Sequence, residues 1–290
     1  MNDMSFAAKV RKELAEHISK GKHCIKAELR GIYEGSRHTA PFSIFSEGLT
    51  IPEKSISLMQ KAYGLEMTKE KTPHGTKVGL ETGGSKVCED LMSEKTLERD
   101  CCKRAYLRGW FLAAGTVTDP EGAYHLELAV GDDEMAGRLK ETMEVFDISP
   151  KITHRKGRSV LYIKEGQKVV DFLNIVGAHV ALMEFENTRI LKEMRGNINR
   201  QVNCETANIN KTISASGKQI EDIELISNTI GLDGLSDSLR EIAVLRLENP
   251  EISLKELGEM FDPPVGKSGV NHRMRRIGEI ADDLRYGGRK

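Results

Sequence analysis

Apolar and polar positions alternate along this chain in a series that occurs twice. Strand-like runs at FSIFSE (42–47), LEMTKEK (65–71) and TKVGLET (76–82) accompany helical spacing at PEKSISLMQKAYG (52–64), and SKVCEDLMSE (85–94) reads as a short helix. The series returns as strand YHLELAV (124–130), helix DEMAGRLKETMEVFD (133–147), strands PKITHRK (150–156) and SVLYIKE (159–165) joined at a Lys-Gly turn, and helix GQKVVDFLNIVG (166–177). Related helical motifs precede the two series, CIKAELRG (24–31) and CKRAYLRG (102–109). Cys24, Ala27, Leu29, Arg30 and Gly31 match Cys102, Ala105, Leu107, Arg108 and Gly109 at a constant offset of 78. The order helix, strand, helix, strand, strand, helix occurs twice and predicts a structural duplication.

Small residues recur at every fourth position of each motif helix: Ala27, Gly31 and Gly35 in one, Ala105, Gly109 and Ala113 in the other. Period four places each set on one helix face. Small residues there let two helix backbones approach closely. A glycine inside a helix costs up to about 1 kcal/mol against alanine, so packing is the favoured reading. Incidental kinks are the alternative.

From 179 to 220 the pattern is helical, basic and amide-rich. Asn187 to Gln219 carries six Arg or Lys against Glu193 and Glu205, together with six Asn. Such a linker could touch phosphate through Arg189, Lys192, Arg195, Arg200 and Lys211; a solvated connecting helix is the other reading. The last 55 residues predict three helices. These are SDSLREIAVLRLENP (236–250), SLKELGEMF (253–261) with Ser253 and Glu256 at capping-box spacing, and GKSGVNHRMRRIGEIADDLR (266–285), set off by the break DPPVG (262–266). Val270, Met274, Ile277, Ala281 and Leu284 form one apolar stripe on the last helix. The pattern is that of a helix-turn-helix.

Charge sharpens this reading. The whole chain has a formal net charge of −1, so a basic footprint for nucleic acid must be local. Val265 to Gly278 holds four Lys or Arg and no acid. Ser268, Asn271, His272, Arg275 and Arg276 lie opposite the apolar stripe, with Lys267 and Arg273 at its flanks. Arginine can bind guanine O6 and N7 in two-pronged fashion, and asparagine does the same for adenine N6 and N7. Lys267 and Ser268 sit where helix N–H groups can meet a phosphate. The competing reading is a solvated basic face on an ordinary bundle.

The 290 residues suit two domains, and 39% hydrophobic with 30% charged residues is globular composition. Apolar runs are too short for a spanning helix, and the opening MNDMSFAAKVRKELAEH lacks a secretory core. Five cysteines, Cys24, Cys88, Cys101, Cys102 and Cys204, show no C-x-x-C spacing, so zinc-ribbon and redox motifs fail; buried, reduced thiols in a cytoplasmic protein are expected. His23 and His38 bracket the first motif helix without paired ligand spacing. No hydrolase, zincin or P-loop motif occurs, and neither cofactor nor metal is expected.

LRGIYEGSR (29–37) and LRGWFLAAG (107–115) resemble degenerate copies of the LAGLIDADG motif of homing endonucleases. In that family an acid near the motif's end binds the divalent metal that activates water. That position falls here on Ser36 and Ala114, and neither offers an ionised oxygen. Glu34 lies on another face, and Asp119 and Glu121 lie beyond the helix. Cleavage would therefore need relocated carboxylates.

The duplication joined to a helix-turn-helix resembles the bacterial WhiA family. SFAAKVRKELA (5–15), KRAYLRGWFLAAGTVTDPEGAYHLEL (103–128), VNCETANINKT (202–212) and SLKELGEMFDPPVGKSGVNHRMRRI (253–277) carry the resemblance, which is weakest between 38 and 95. Its first stretch points to Met4 as an alternative start to Met1. The resemblance implies a cytoplasmic, nucleoid-associated DNA-binding protein, a transcriptional regulator tied to cell division and chromosome segregation, and to sporulation in spore formers.

The expected fold is α+β: a pseudo-symmetric LAGLIDADG-like duplicated αβαββα domain over 1–180, with repeats at about 24–95 and 102–178. A basic helical linker (181–225) and an all-α helix-turn-helix domain (226–290) follow. The expected partner is double-stranded DNA, with a regulatory or division protein as a second candidate and no membrane. Two rival functions stay open: an interaction scaffold with secondary non-specific DNA binding, and a metal-dependent endonuclease.

Overall fold

The computed structural model describes residues 4–155 and 157–287. Met1, considered as a start, and Lys156 of the Lys-Gly turn lie outside them. The chain divides into two units, Met1–Glu193 and Met194–Lys290. The division falls within the long helix α8 (His179–Thr229).

The first unit opens with α1 (Phe6–Glu16), capped by the Ser5 hydroxyl, which accepts from the Ala8 N–H. The first repeat runs α2 (Lys22–Gly35), β1 (Arg37–Thr39), β2 (Ser43–Ser46), α3 (Thr50–Tyr63), β3 (Thr68–Thr72), β4 (Gly75–Gly79) and α4 (Gly84–Met92). The second runs α5 (Asp100–Ala114), β5 (Gly115–Val117), β6 (Leu126–Val130), α6 (Asp133–Glu144), β7 (Lys151–Arg155), β8 (Arg158–Ile163) and α7 (Gly166–Val176). Each repeat builds a four-stranded antiparallel sheet with the same topology, β1-β2-β4-β3 and β5-β6-β8-β7. The duplicated α+β fold expected from the sequence is present. Each repeat adds one three-residue strand directly after its motif helix. Extended backbone at Ser36 and Gly115 turns the helix into that strand, and three residues are too few to leave a period in the sequence.

The small-residue faces are the contact between α2 and α5. A β-carbon on Gly31 would collide with the Tyr106 carbonyl oxygen, and one on Gly109 with that of Glu28. A β-carbon on Gly35 would stand 2.9 Å from that of Ala113. Ala27 and Ala105 are buried in the same seam. The packing reading of these glycines holds over the incidental one.

Arg30 and Arg108, equivalent in the repeat, do equivalent work. Arg30 donates to the Ser93 carbonyl (3.2 Å), just past α4, and Arg108 to the Val176 carbonyl (3.0 Å) at the end of α7. Each thus ties the closing helix of its own repeat to the central helix pair, where a cation suits the negative helix terminus. Glu28 is fully buried between two cations, Lys54 at 3.2 Å and Arg108 at 3.2 Å. Lys54 also donates to the Ala15 (3.1 Å) and His17 carbonyls and so fastens the end of α1. Burial holds the Lys54 ammonium below the ordinary lysine value, and Glu28 partly offsets this.

α8 (His179–Thr229) is one helix that contains the basic, amide-rich segment. In the second unit, its end is followed by α9 (Asp237–Glu248), α10 (Leu254–Glu259) and α11 (Lys267–Tyr286). Their core joins Ile223 and Ile226 to Ile242, Ala243, Leu257, Phe261, Val270, Met274, Ile277 and Ala281. An Arg285–Asp222 ion pair at 2.6 Å connects α11 to α8.

Candidate nucleic-acid interface

α10 and α11 form the helix-turn-helix. The Ser253 hydroxyl accepts from the Glu256 N–H (3.3 Å), and the Glu256 carboxylate accepts from the Ser253 N–H (2.8 Å). The capping box expected from the spacing is therefore closed in both directions. Those hydrogen bonds hold the Glu256 carboxyl below the usual carboxylate range. The turn depends on Gly258, because a β-carbon there would run into the Val265 carbonyl oxygen. The Val265 N–H donates to the Gly258 carbonyl at 2.9 Å, two residues before α11 begins.

Arg246 supports the same element from beneath. It is 1% exposed and donates to the Ile252 (2.8 Å) and Asn249 (3.2 Å) carbonyls, fixing the loop between α9 and α10. Burial holds its guanidinium below the ordinary arginine value. Neither Gly258 nor Arg246 stood out in the sequence. The glycine two residues after a capping box was one signal available, and a lone arginine on an apolar helix face was another.

On α11, Val270, Met274, Ile277 and Ala281 are buried, as the periodicity predicts, while Leu284, the last residue of the stripe, is only partly buried near the helix end. Lys267, Ser268, Asn271, His272, Arg275 and Arg276 are all exposed. They follow the helical repeat along one face, and the fold brings them together. Arg273 differs: its guanidinium stacks over the Phe261 ring at 5.0 Å, and the residue is only partly exposed. Arg275 and Arg276 both reach Glu279, at 3.3 and 2.8 Å. These contacts keep the Glu279 carboxyl below its usual range. The acid-free run ends one residue before the acid that matters. Because the pairs are exposed, each is weak in water and leaves both guanidinium groups readily freed.

The basic residues of α8 are not one patch. Arg189 pairs with Glu186 at 2.8 Å. Lys192 donates to the Gly122 carbonyl (2.6 Å) and sits 4.8 Å from the centre of the Tyr124 ring. Arg200 is hydrogen-bonded to Asn197. Arg195 and Lys211 are exposed.

In the first unit, Ser36 and Ala114 line one cavity of about 790 Å³ at the C-terminal ends of α2 and α5. Arg11, Arg37, His38 and Arg158 line it, and three carboxylates balance the three arginines. Its lining carboxylates are Glu34, Glu47 and Asp132. Glu34 accepts from Arg30 (3.0 Å) and from the Tyr106 hydroxyl, and Asp132 caps α6 through the Met135 N–H (2.8 Å). Asp119 instead accepts from the Glu121 N–H (2.9 Å) in the β5–β6 loop. The two equivalent positions at the ends of the motif helices thus carry a hydroxyl and a methyl group.

Comparison with known proteins points the same way. The model of the WhiA LAGLIDADG-like domain matches residues 103–195, and that of the WhiA C-terminal HTH domain matches 198–281. A "Probable cell division protein WhiA" of Lachnoclostridium phytofermentans is 42% identical, covering 97% of this chain and all of that one. One of the same description from Alkaliphilus metalliredigens is 39% identical, covering 96% of this chain and 98% of that one. Among solved structures, full-length DUF199/WhiA from "Thermatoga maritima" superposes with a TM-score of 0.62 at 26% identity, covering 97% of this chain and 98% of that one. The N-terminal LAGLIDADG domain of DUF199/WhiA matches at a TM-score of 0.51 and 21% identity over 60% of this chain and 91% of that one, a likeness of fold.

Proposed function

The chain belongs to the WhiA family, and from that premise we propose that it is a DNA-binding cell-division regulator that acts on transcription by reading duplex sequence with α11. The observation that carries this reading is the exposed face Lys267, Ser268, Asn271, His272, Arg275 and Arg276, backed by a fully buried stripe and a turn with no slack. Asn271, Arg275 and Arg276 have the donor geometry for base edges in the major groove. Lys267 and Ser268, at the start of α11, suit a backbone phosphate. Arg273 braces the turn against Phe261.

The same reading gives the first unit a binding role rather than a cleaving one. Ser36 and Ala114 leave the two positions at the motif ends without a hard anionic oxygen for Mg²⁺.

The test is a sequencing-based selection of genomic fragments retained by the full chain at about 150 mM salt, close to physiological screening. Enrichment of a short shared motif supports the reading, and flat coverage overturns it. With an enriched fragment, Arg275→Ala plus Arg276→Ala weakens binding and lowers the steepness of its salt dependence by about one to two units. An unchanged isotherm would remove α11 from the interface. Supercoiled plasmid that stays intact with Mg²⁺ or Mn²⁺ supports binding without cleavage.

A further inference from the structure

The two motif helices begin with the same pair of positions. His23 and Cys24 are the second and third residues of α2, and Cys101 and Cys102 are the second and third of α5. Cys24 and Cys102 are equivalent under the repeat, and so are His23 and Cys101. Far apart in the chain, the four share no motif spacing. Close packing along Gly31 and Gly109 brings both helix starts to one point on the pseudo-twofold axis. The Ser36 and Ala114 cavity lies at the other end of the same helix pair.

There the four donor atoms lie within 4.8 Å of one another. The His23 Nδ1 is 3.2 Å from the Cys102 Sγ, 3.3 Å from the Cys24 Sγ and 3.9 Å from the Cys101 Sγ. Around a tetrahedral zinc with ordinary bond lengths, neighbouring nitrogen and sulfur ligands stand about 3.5 Å apart and two sulfurs about 3.8 Å apart. The three nitrogen–sulfur distances bracket the first value, and closure around an ion asks at most about 1 Å of movement between the widest pair. Three sulfurs and one imidazole nitrogen form a Cys₃His set, one of the recurring structural zinc sets. We propose that His23, Cys24, Cys101 and Cys102 form a zinc(II) site that joins the starts of α2 and α5 on the repeat axis.

Three further features suit the ion. Two helix N-termini converge there, and their positive ends favour the net negative charge of a zinc held by three thiolates. Cys24 and Cys102 are buried while His23 and Cys101 are exposed, which leaves a path for the metal to enter. The histidine discriminates against a simple cross-link, since a Cys24–Cys102 disulfide would give the His23 Nδ1 and Cys101 no part. On binding, each thiol loses its proton to solvent and the imidazole coordinates in its neutral form, with no change of oxidation state.

The experiment uses the full chain, purified under reducing conditions without chelator, with metal content read by mass spectrometry and cobalt(II) as the spectroscopic probe. One equivalent of zinc, and a cobalt spectrum of tetrahedral thiolate type, are expected. His23→Gln and Cys101→Ser alter exposed residues, so both should keep the circular dichroism of the parent. They should weaken cobalt binding at least about tenfold, the scale lost even when an outer partner of a metal ligand is removed. Cys204→Ser, on the exposed surface of α8, should bind like the parent. Absence of stoichiometric metal after zinc is added to the reduced chain would overturn the site. So would unchanged cobalt binding in both His23→Gln and Cys101→Ser, or a Cys24–Cys102 disulfide in protein isolated with its thiols trapped.

Discussion

Gly31 presses its α-carbon against the main-chain carbonyl of Tyr106 in the neighbouring helix, leaving no room for a β-carbon between them. The repeat makes the same contact a second time, with Gly109 against the carbonyl of Glu28. Two glycines therefore set the distance between the halves of the first unit, and everything else in the seam follows from that distance. It brings four ligand-type side chains to one end of the pair.

Gly31→Ala and Gly109→Ala should each destabilise the chain by about 3 kcal/mol, the upper part of the range for overpacking, because the obstacle is backbone and not a side chain that can turn away. Gly137, in α6, has open space around its α-carbon. Gly137→Ala should stabilise by up to about 1 kcal/mol through helix propensity alone. Urea unfolding of the three variants checks the contrast; equal effects in all three would mean that the seam has slack.

Removing Glu28 should cost more than removing most core side chains. Its carboxylate is the shared partner of Lys54 and Arg108, all three buried. Glu28→Gln leaves two buried cations without a counter-charge, and breaking a buried pair in this way costs about 3–5 kcal/mol. Thermal unfolding would register the loss, and Glu28→Gln with Lys54→Met should recover part of it. A double variant no more stable than the single would show that Lys54 does not depend on Glu28.

The repeat order was legible because each sheet and helix carries its own period, and the helix-turn-helix because its apolar stripe and capping box are local. The first strand of each sheet, Arg37–Thr39 and Gly115–Val117, was not, since three residues leave no pattern. The helix α1 gave only a verbal likeness, although Phe6, Val10 and Leu14 sit at four-residue spacing and are buried. At the candidate interface the basic face was readable from composition. The pairing of Arg275 and Arg276 with Glu279 was not, because it lay one residue past the window of like charge. The stacking of Arg273 on Phe261 joins residues across the turn, and only the packed turn reveals it. The cysteines were expected to be buried, but only Cys24 and Cys102 are; Cys88 is half-buried, and Cys101 and Cys204 are exposed because they lie on outward helix faces. Spacing along the chain excluded a ligand set that the repeat assembles in space, and the signal lay in the shared offset of His23 with Cys101 and Cys24 with Cys102.

On the proposed reading of α11, Glu279 competes with DNA for two arginines, so neutralising it should strengthen binding. Glu279→Gln frees Arg275 and Arg276 and removes a charge that would repel phosphate. Affinity for an enriched fragment should rise roughly two- to fivefold at low salt, with the gain shrinking as salt screens it. Fluorescence anisotropy at two ionic strengths is sufficient. A fall in affinity would place Glu279 itself at a base edge, accepting from cytosine.

Acid should weaken the contact between α2 and α4. Asp90 accepts from the Lys26 ammonium (2.6 Å) and the Tyr63 hydroxyl (2.6 Å), and these hold its carboxyl below the usual carboxylate range. A folded-state value depressed in this way stabilises the fold above about pH 4, where the unfolded carboxyl is already ionised, and the contribution disappears as pH falls through the lower folded value. Asp90→Asn should therefore melt below the parent at neutral pH, with the gap closing below about pH 4. The group is half exposed, so added salt should also narrow the gap. A gap independent of pH would assign the effect to packing.

Gly258 offers a way to disturb the interface without touching it. The turn before α11 closes where the Val265 carbonyl rests against the Gly258 α-carbon, and the Val265 N–H returns a hydrogen bond to the Gly258 carbonyl. A methyl group at 258 must push that carbonyl away, and α11 begins only two residues later. Gly258→Ala should therefore shift the start of α11 against α10 and cost about 1–3 kcal/mol. On the proposed reading, displacing Lys267 and Ser268 should weaken DNA binding at a temperature where the chain is still folded. Hydrogen exchange checks the origin of the loss: amides at Val265 and Val270 should exchange faster in the variant, while those of α2 and α5 remain as in the parent. Full-strength DNA binding by a folded Gly258→Ala chain would mean that the turn adjusts to the methyl group without moving the face that reads DNA.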